Sequence, residues 1–337
     1  MNNKSTHNFY MSRCIEVAKK GIGKTYPNPS VGCIIVNNGT IISEAYTSEY
    51  GGNHAEINAI NKIRNKKELL TSTLYVTLEP CSHHGKTPPC CESIVNNKIP
   101  QVVIGTIDKS NKVNGKGIKY LKKYNIKVIN GILQKKCTEL HKRFLHFNVK
   151  KRPYIILKWA QTKDNFISPV KKIKKKPFWI SSKKSRQLVH KWRSEEHAIL
   201  IGFSTVIKDN PILNIRNWKG VNPIRIIIDL KNELNDDYSV FDDKAKTIKI
   251  TNEELDISKP IKSELTKFLF ERKIQSLIVE GGKKTLDLFI NNDLWDEARI
   301  FTNNNNLNIG VRAPKIKGRK IHEEKINNDE LKILKPF

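Results

Sequence analysis

Two unlike α/β domains in one chain are predicted by three observations. The 337 residues exceed what a single core ordinarily organises, at about 100 to 200 residues per domain. Short apolar runs of strand length alternate with amphipathic stretches of helix length in both halves. A basic, polar break at Lys150-Lys151-Arg152-Pro153 interrupts the alternation near the middle, and the residue before a proline is steered away from helix. The expected domains are residues 1–149 and 150–337. No internal repeat relates them, so different tasks are expected of the two halves.

In the first half, Phe9, Met11, Ile15, Val17 and Ala18 recur at mostly helical spacing over Asn8 to Lys20, and Pro27 and Pro29 end that pattern. Val31 to Val36 reads as an apolar strand. Asn37-Asn38-Gly39 is a hairpin signal that returns the chain through Thr40 to Tyr46. After Gly51-Gly52, a helix is predicted from near His54 through Ile57, Ile60 and Ile63, followed by strands at Thr73 to Leu78, Gln101 to Gly105 and Ile126 to Ile129. A helix from Gly117 to Lys123 lies between the last two. In the second half a strand begins at Tyr154 and runs to Trp159, with further strands at His197 to Ile201, Ile224 to Asp229 and Ser276 to Glu280. The last of these leads through Gly281-Gly282 into a helix from about Thr285 to Asn291. Lys171 to Lys176 reads as a basic loop and Asn303 to Asn306 as a polar tract.

With 38% hydrophobic and 28% charged residues, 14 Pro and 17 Gly, the composition is that of a globular protein and excludes collagenous or largely disordered classes. No uninterrupted apolar run approaches the roughly 18 residues of a membrane span, and Met1 to Cys14 lacks a basic segment followed by an apolar one, so a cytoplasmic protein without membrane partners is expected. Lys and Arg number 61 against 33 Asp and Glu, a formal net charge of +28. That excess favours anionic partners. It also reflects a sequence crowded with Lys, Ile and Asn, whose codons are A/T-rich. Six cysteines without an export signal are better read as metal ligands than as a disulfide framework, and Cys81, Cys90 and Cys91 are clustered.

His54-Ala55-Glu56 opens a helix, and Pro80-Cys81 and Pro89-Cys90 follow a strand and loop downstream. One imidazole and two thiolates are three ligands for a tetrahedral zinc, leaving the fourth position open to water, as in catalytic sites. Glu56, two residues from His54, can take a proton from that water and deliver it to a ring nitrogen and a leaving amine. His-x-Glu with Pro-Cys-x-x-Cys is the recorded signature of zinc nucleobase deaminases. Here the two cysteines are instead separated by Ser82-His83-His84-Gly85-Lys86-Thr87-Pro88-Pro89. Cys91, His83 and His84 are rival ligands. Cys91 is better placed facing away at the start of the next helix, and His83 with Lys86 suits an anion such as a substrate phosphate.

The runs Pro27-Asn28-Pro29-Ser30-Val31-Gly32, His54-Ala55-Glu56 and Thr77 to Cys91 resemble the bifunctional deaminases and reductases of riboflavin biosynthesis. The resemblance covers nearly the whole chain. It implies a cytidine-deaminase-like N-terminal zinc domain and a dihydrofolate-reductase-like C-terminal domain. Zinc would sit on His54, Cys81 and Cys90, with Glu56 as proton shuttle and Asn28 against the pyrimidine of a ribosylated diaminopyrimidinone phosphate. Members often carry a histidine where this chain has Thr47.

In the second half, glycines at Gly281-Gly282 let backbone approach a ligand, and a helix start suits a phosphate, so a nucleotide could sit there. There is no G-x-G-x-x-G after a strand. The stretches Leu157 to Ala160, Trp179 to Ser182, His197 to Leu200, Thr205-Val206 with Asp209-Asn210-Pro211, and Val279 to Gly282 look like the successive motifs of the family's reductase domain. The resemblance implies an NADPH site lined by Ala160, Trp179, Thr205, Asp209 and the segment Gly282, Lys283, Lys284, Thr285, Leu286, Asp287 and Leu288. It also implies substrate contacts from Arg193, Leu213, Arg216 and Glu280. Departures are Thr162 to Asn165 after the first strand, Pro177 before Trp179, and Leu230 after Asp229, and the resemblance thins beyond Asn303.

Rival readings are a zinc deaminase of tRNA or single-stranded nucleic acid, a deaminase whose reductase half has decayed, and a structural zinc protein. The nucleic-acid reading is disfavoured by the long Cys81–Cys90 loop and by the lack of a nucleic-acid module in the second half. A structural site would need a fourth protein ligand. Association into a homo-oligomer is left open.

Overall fold

The computed structural model describes residues 3–84, 88–109, 113–171, 175–256 and 258–337. The chain divides into two compact units, Met1–Lys151 and Arg152–Phe337. No described helix is long and apolar enough to cross a membrane.

The first unit is built on a five-stranded sheet in the order β2-β1-β3-β4-β5, with β1 (Gly32–Asn37), β2 (Thr40–Tyr46), β3 (Thr73–Leu78), β4 (Gln101–Thr106) and β5 (Lys127–Asn130). β1 runs antiparallel to β2 and β3, whereas β3, β4 and β5 are parallel. The predicted hairpin is present, with Asn38 and Gly39 at φ 48° and 78°, the left-handed backbone such a two-residue turn requires. Period-2 alternation splits each strand between two apolar layers. Ile34, Tyr75 and Val103 face α1 (Asn3–Lys19) and α5 (Gln134–Leu140), whereas Cys33, Ile35, Leu74, Val76 and Val102 face α2 (Ala55–Asn61), α3 (Cys90–Asn96) and α4 (Lys116–Lys123). Both sheet faces are therefore covered, which is why the central strands read as continuous apolar runs. The helix expected through Ile63 stops at Asn61 and is followed by a tighter turn over Lys66–Thr71. α6 (Lys142–Lys150) closes the unit.

The second unit holds an eight-stranded sheet, β10-β9-β8-β11-β6-β12-β15-β14. β6 (Tyr154–Thr162), β8 (Ala198–Gly202), β9 (Ile224–Ile228), β10 (Thr247–Ile250), β11 (Ser276–Val279) and β12 (Glu297–Asn303) are parallel. The hairpin of β14 (Arg319–Ile326) and β15 (Asp329–Lys335) adds antiparallel to β12. One face carries α9 (Ile261–Glu271) and α10 (Lys283–Asn291) through Leu265, Phe268, Leu286 and Phe289; the other carries α7 (Lys183–Glu195) and α8 (Phe203–Asp209) through Val189, Trp192 and Val206. A short ribbon pairs β7 (Phe166–Ser168) with β13 (Val311–Arg312).

Several of these elements differ from the sequence-based expectation. β6 runs three residues past Trp159, and the polar tract at Asn303 is the buried end of β12. There Asn303 Nδ2 donates to Asp329 Oδ1 at 2.6 Å, and Asp329 Oδ2 also accepts from Ser182 N and Ser185 Oγ. The C-terminal hairpin is thus tied to the start of α7. The departing residues Thr162 to Asn165 form an ordered turn in which Asp164 accepts from the N–H groups of Leu307 and Asn308. Part of the Lys171 to Lys176 loop lies outside the described residues.

Candidate active sites

In the first unit, the chain leaving β3 is fastened before it reaches Cys81. Glu79 is buried, its N–H donates to Thr106 O at 2.9 Å, and its carboxylate accepts from Gly115 N (3.0 Å) and Ile118 N (3.2 Å). Burial raises the Glu79 pKa while these N–H bonds oppose the rise. α4 rests on Pro80 so closely that a Cβ at Gly117 would meet the Pro80 carbonyl at 2.2 Å, so only glycine fits there. Cys91 N donates to Cys81 O (3.1 Å), and Cys90 N donates to Cys81 Sγ (3.3 Å). These bonds set the start of α3 against the loop after β3.

His54 stands immediately before α2 in extended backbone and does not cap the helix with its side chain. Its Nδ1 lies 3.6 Å from Cys81 Sγ and 3.3 Å from Cys90 Sγ. The ligand atoms of the three residues all lie within 4.8 Å of one another, the one such group among the described residues. Hydrogen bonds from Cys90 and then His54 pull the Cys81 pKa down to about 4, and the bond to Cys81 lifts His54 to about 9. Cys90 is pushed up by Cys81 and by burial. A soft, partly ionised His/Cys/Cys set converging in a largely buried niche fits zinc, with a fourth position left for a small ligand.

Glu56, on the first turn of α2, is buried against Cys90, and its carboxyl is pushed up chiefly by burial. Of the rival ligands, Cys91 is fully buried in the core and points its Sγ at the Pro80 and Gly117 carbonyls, and His84 pairs with Glu92 at 3.2 Å. His83 is exposed in the loop after Cys81, and Lys86 lies outside the described residues. Asn28 occupies a turn before β1 in which Asn28 N donates to Thr25 O and Thr25 Oγ1 donates to Asn28 O. Thr47 is buried and accepts the Val31 N–H at 3.1 Å. It braces the entry to β1.

In the second unit the middle of β6, the last turn of α7 and the residue after β11 bring three charged groups together. Arg193 donates from Nε and Nη2 to the two oxygens of Glu280, each at 2.8 Å, and Lys158 Nζ lies 2.9 Å from Glu280 Oε2. The two cations hold the Glu280 carboxyl far below its usual range against the effect of burial, whereas burial lowers Lys158. Arg193 was expected to contact substrate; its Nε and Nη2 are engaged by Glu280, and its Nη1 donates to Asn214 O at 3.2 Å. Arg216 is exposed on the same segment. Leu213, also expected to meet substrate, has its side chain in the core and φ of 57°, so its backbone is the part that can face a ligand.

The expected cofactor residues divide similarly. Thr205 Oγ1 accepts the Gly282 N–H at 3.0 Å, joining α8 to the entry of α10. A Cβ at Gly281 would meet Thr285 Cβ at 2.5 Å, so α10 starts directly over the strand ends. The N–H groups of Lys283 and Lys284 then lead the helix, where an anion is favoured. This glycine-walled helix start fits a nucleotide phosphate. Thr285 is buried and Leu286 fully so, the latter beside Phe289 in the core, which removes the Leu286 side chain from any cofactor contact. Lys283 pairs with Asp287, and Leu288 is half-buried. Ala160 lies on β6 and Asp209 ends α8, both half-buried. Trp179 is exposed with the Arg186 guanidinium 4.8 Å from its ring.

Sequence reasoning missed Lys158 and His190. A lysine inside the apolar run Ile155 to Trp159 was the signal for the first, because a strand-interior cation needs a buried partner. His190, buried on α7, accepts the Arg216 N–H at 3.3 Å and carried no signal in the local sequence.

Residues 4–106 match the cytidine and deoxycytidylate deaminase zinc-binding region, and residues 153–304 match the RibD C-terminal domain. The riboflavin biosynthesis protein RibD of Aquifex aeolicus is 36% identical over 325 residues, covering 92% of this chain and 87% of that protein. RibD of Buchnera aphidicola subsp. Baizongia pistaciae is 34% identical over 344 residues, with the same coverages of 92% and 87%. A crystal structure from Thermotoga maritima, of a diaminohydroxyphosphoribosylaminopyrimidine deaminase/5-amino-6-(5-phosphoribosylamino)uracil reductase, superposes with a TM-score of 0.90 at 35% identity, all of both chains being covered. The N-terminal unit has the cytidine-deaminase-like fold and the C-terminal unit the dihydrofolate-reductase-like fold of the RibD reductase domain. On identity sustained along nearly the whole of both chains, and on a deaminase region joined to a reductase domain in one polypeptide, the chain belongs to the riboflavin biosynthesis protein RibD family.

Proposed function

We propose that the chain performs two successive steps of riboflavin biosynthesis. Residues 1–149 deaminate 2,5-diamino-6-(5-phosphoribosylamino)pyrimidin-4-one, and residues 150–337 then reduce its ribosyl chain to ribityl. The observation that carries this reading is the convergence of His54, Cys81 and Cys90 beside a buried Glu56 in a RibD-family chain.

In the first unit, His54, Cys81 and Cys90 would hold zinc, which when bound would make a water acidic enough to serve as the nucleophile. Glu56 carries one proton of the water to the ring nitrogen as the attack occurs, and then carries the second to the leaving amine, which departs as ammonia. A carboxyl raised by burial suits that double duty, since its pKa moves toward the working pH. Asn28 orients the pyrimidine, and His83 with Lys86 meets the phosphate.

In the second unit, NADPH supplies the hydride when bound. Ala160, Trp179, Thr205, Asp209 and the α10 start would position it. Lys158 and Arg193 outweigh Glu280 in charge, so the site favours the negative charge that develops on the sugar oxygen. Arg216 takes the substrate phosphate, a match for a guanidinium fork. The buried Lys158, Arg193 and Glu280 cluster supports a working reductase half. Both steps are assigned to the cytoplasm.

The test supplies the zinc-loaded protein with the diaminopyrimidinone ribosyl phosphate and follows ammonia release and NADPH oxidation in one tube, with Glu56→Gln as control. Both signals, lost together in the variant, are expected. Ammonia without NADPH oxidation would remove the reductase half from this reading, and no ammonia would remove the whole of it.

A further inference from the structure

His190 sits mid-way along α7, buried, one turn before Arg193. Its Nδ1 accepts the backbone N–H of Arg216 at 3.3 Å. Three residues further along the same helix, Arg193 Nη1 donates to the Asn214 carbonyl at 3.2 Å while its remaining donors grip Glu280. The segment Asn214–Arg216 is therefore pinned to α7 at both ends. It enters this grip from Leu213 at φ 57°, a backbone conformation a leucine adopts only when its surroundings compel it. Behind Leu213, the Ile212 carbonyl accepts from the fully buried Arg225 at 3.2 Å, and beyond it Ile215 N donates to Asn222 Oδ1 at 2.8 Å. The exposed guanidinium of Arg216 thus projects from a backbone held at four points, one of which is a histidine.

We propose that His190 is a positioning residue of the reductase site. As a neutral imidazole it accepts the Arg216 N–H and so aims the Arg216 guanidinium at the phosphate of the substrate. The role needs an acceptor at that nitrogen, and the ring is kept neutral: burial, with Arg193 and Arg216 nearby, lowers its pKa to about 4. A protonated ring would lose the acceptor and add a third cation beside the two arginines. Removing the bond frees the loop to sample orientations in which Arg216 misses the phosphate, a loss of ground-state binding more than of the chemical step. The inference rests on the proposed role of Arg216.

The experiment measures kcat and KM for NADPH-dependent reduction of the deaminated intermediate by the full-length protein, together with ammonia release, which the other unit supplies as an internal control. Wild type, His190→Leu, His190→Gln and Arg216→Ala are compared. One lost hydrogen bond of about 1 kcal/mol corresponds to a KM raised roughly fivefold in His190→Leu with kcat little changed. His190→Gln, which keeps a side-chain acceptor, is expected to recover most of that loss. A KM unchanged in His190→Leu but raised in Arg216→Ala overturns the role of His190 and leaves that of Arg216 standing. A KM unchanged in Arg216→Ala overturns the reading on which the inference rests. Equal losses in both His190 variants, with kcat falling as far as KM rises, would make His190 a packing residue. Should His190→Leu not fold, the KM of His190→Gln against Arg216→Ala decides the matter, a Gln value as high as the Ala value overturning the proposal.

Discussion

Arg193 and Glu280 meet through two parallel hydrogen bonds of 2.8 Å, a fork on a carboxylate, although 87 residues separate them in sequence. Lys158 completes the group. Because the pair is buried, breaking it strands a charge, and Arg193→Ala is expected to destabilise the C-terminal unit by about 3 kcal/mol. All five tryptophans, Trp159, Trp179, Trp192, Trp218 and Trp295, belong to that unit, so urea titration read by tryptophan emission isolates it. The folded Glu280 pKa is depressed, so its stabilisation is present above the unfolded carboxylate value of about 4.3 and is lost as pH falls through the folded one. A variant Glu280→Gln with an unchanged acid limb would contradict this.

Zinc and deamination are expected to leave together. In Cys90→Ala one of three converging donors is gone, and two protein ligands hold zinc poorly. Metal analysis should show zinc lost from the purified variant and ammonia release abolished, while the variant still reduces added deaminated intermediate. Loss of both activities on metal removal would show that the reductase half also depends on the metal.

Thr205→Val deprives the Gly282 N–H of its acceptor at the start of α10. With one hydrogen bond of about 1 kcal/mol removed, KM for NADPH is expected to rise roughly fivefold, and Thr205→Ser to restore it. Isothermal titration with NADPH checks the same change without turnover. Equal affinity in Thr205→Val would place the cofactor elsewhere.

His141 is buried with Nε2 3.0 Å from Thr77 Oγ1, which also accepts the Gly32 N–H. Burial lowers its pKa to about 3, below the unfolded value of about 6.5. The stability it contributes is therefore complete above about pH 6.5 and is lost as pH falls toward the folded value, amounting to about 2 kcal/mol between pH 7 and pH 5. Far-ultraviolet circular dichroism during urea unfolding, set against tryptophan emission from the other unit, measures it. His141→Gln should show a flatter dependence over that range, and an unaltered slope would assign the acid loss to other groups.

Much of the fold was legible because strand and helix periods are local properties. β2 and β3 lie at the predicted residues, and β1, β4, β8, β9 and β11 within a residue or so at each end, because each is a short run of apolar or β-branched residues between turn signals. α7 and α9 were not predicted, since their many lysines and other polar residues mask the apolar stripe that faces the sheet. The C-terminal hairpin was also missed. β14 is exposed along nearly its whole length, and a strand with no buried face has no alternation to read.

The same division runs through the two sites. By itself the sequence determined the metal-binding and proton-transfer candidates, because His54 and Glu56 share one helix start and Cys81 and Cys90 bracket one loop, so residue type and spacing already constrain the chemistry. Only the tertiary structure decided that Arg193 spends its fork on Glu280, that Leu213 and Leu286 turn into the core, that Lys158 meets Glu280 and that His190 accepts the Arg216 N–H. Those relations are made between elements far apart in the chain, where burial and hydrogen-bond geometry select the partner and local sequence carries no record of it.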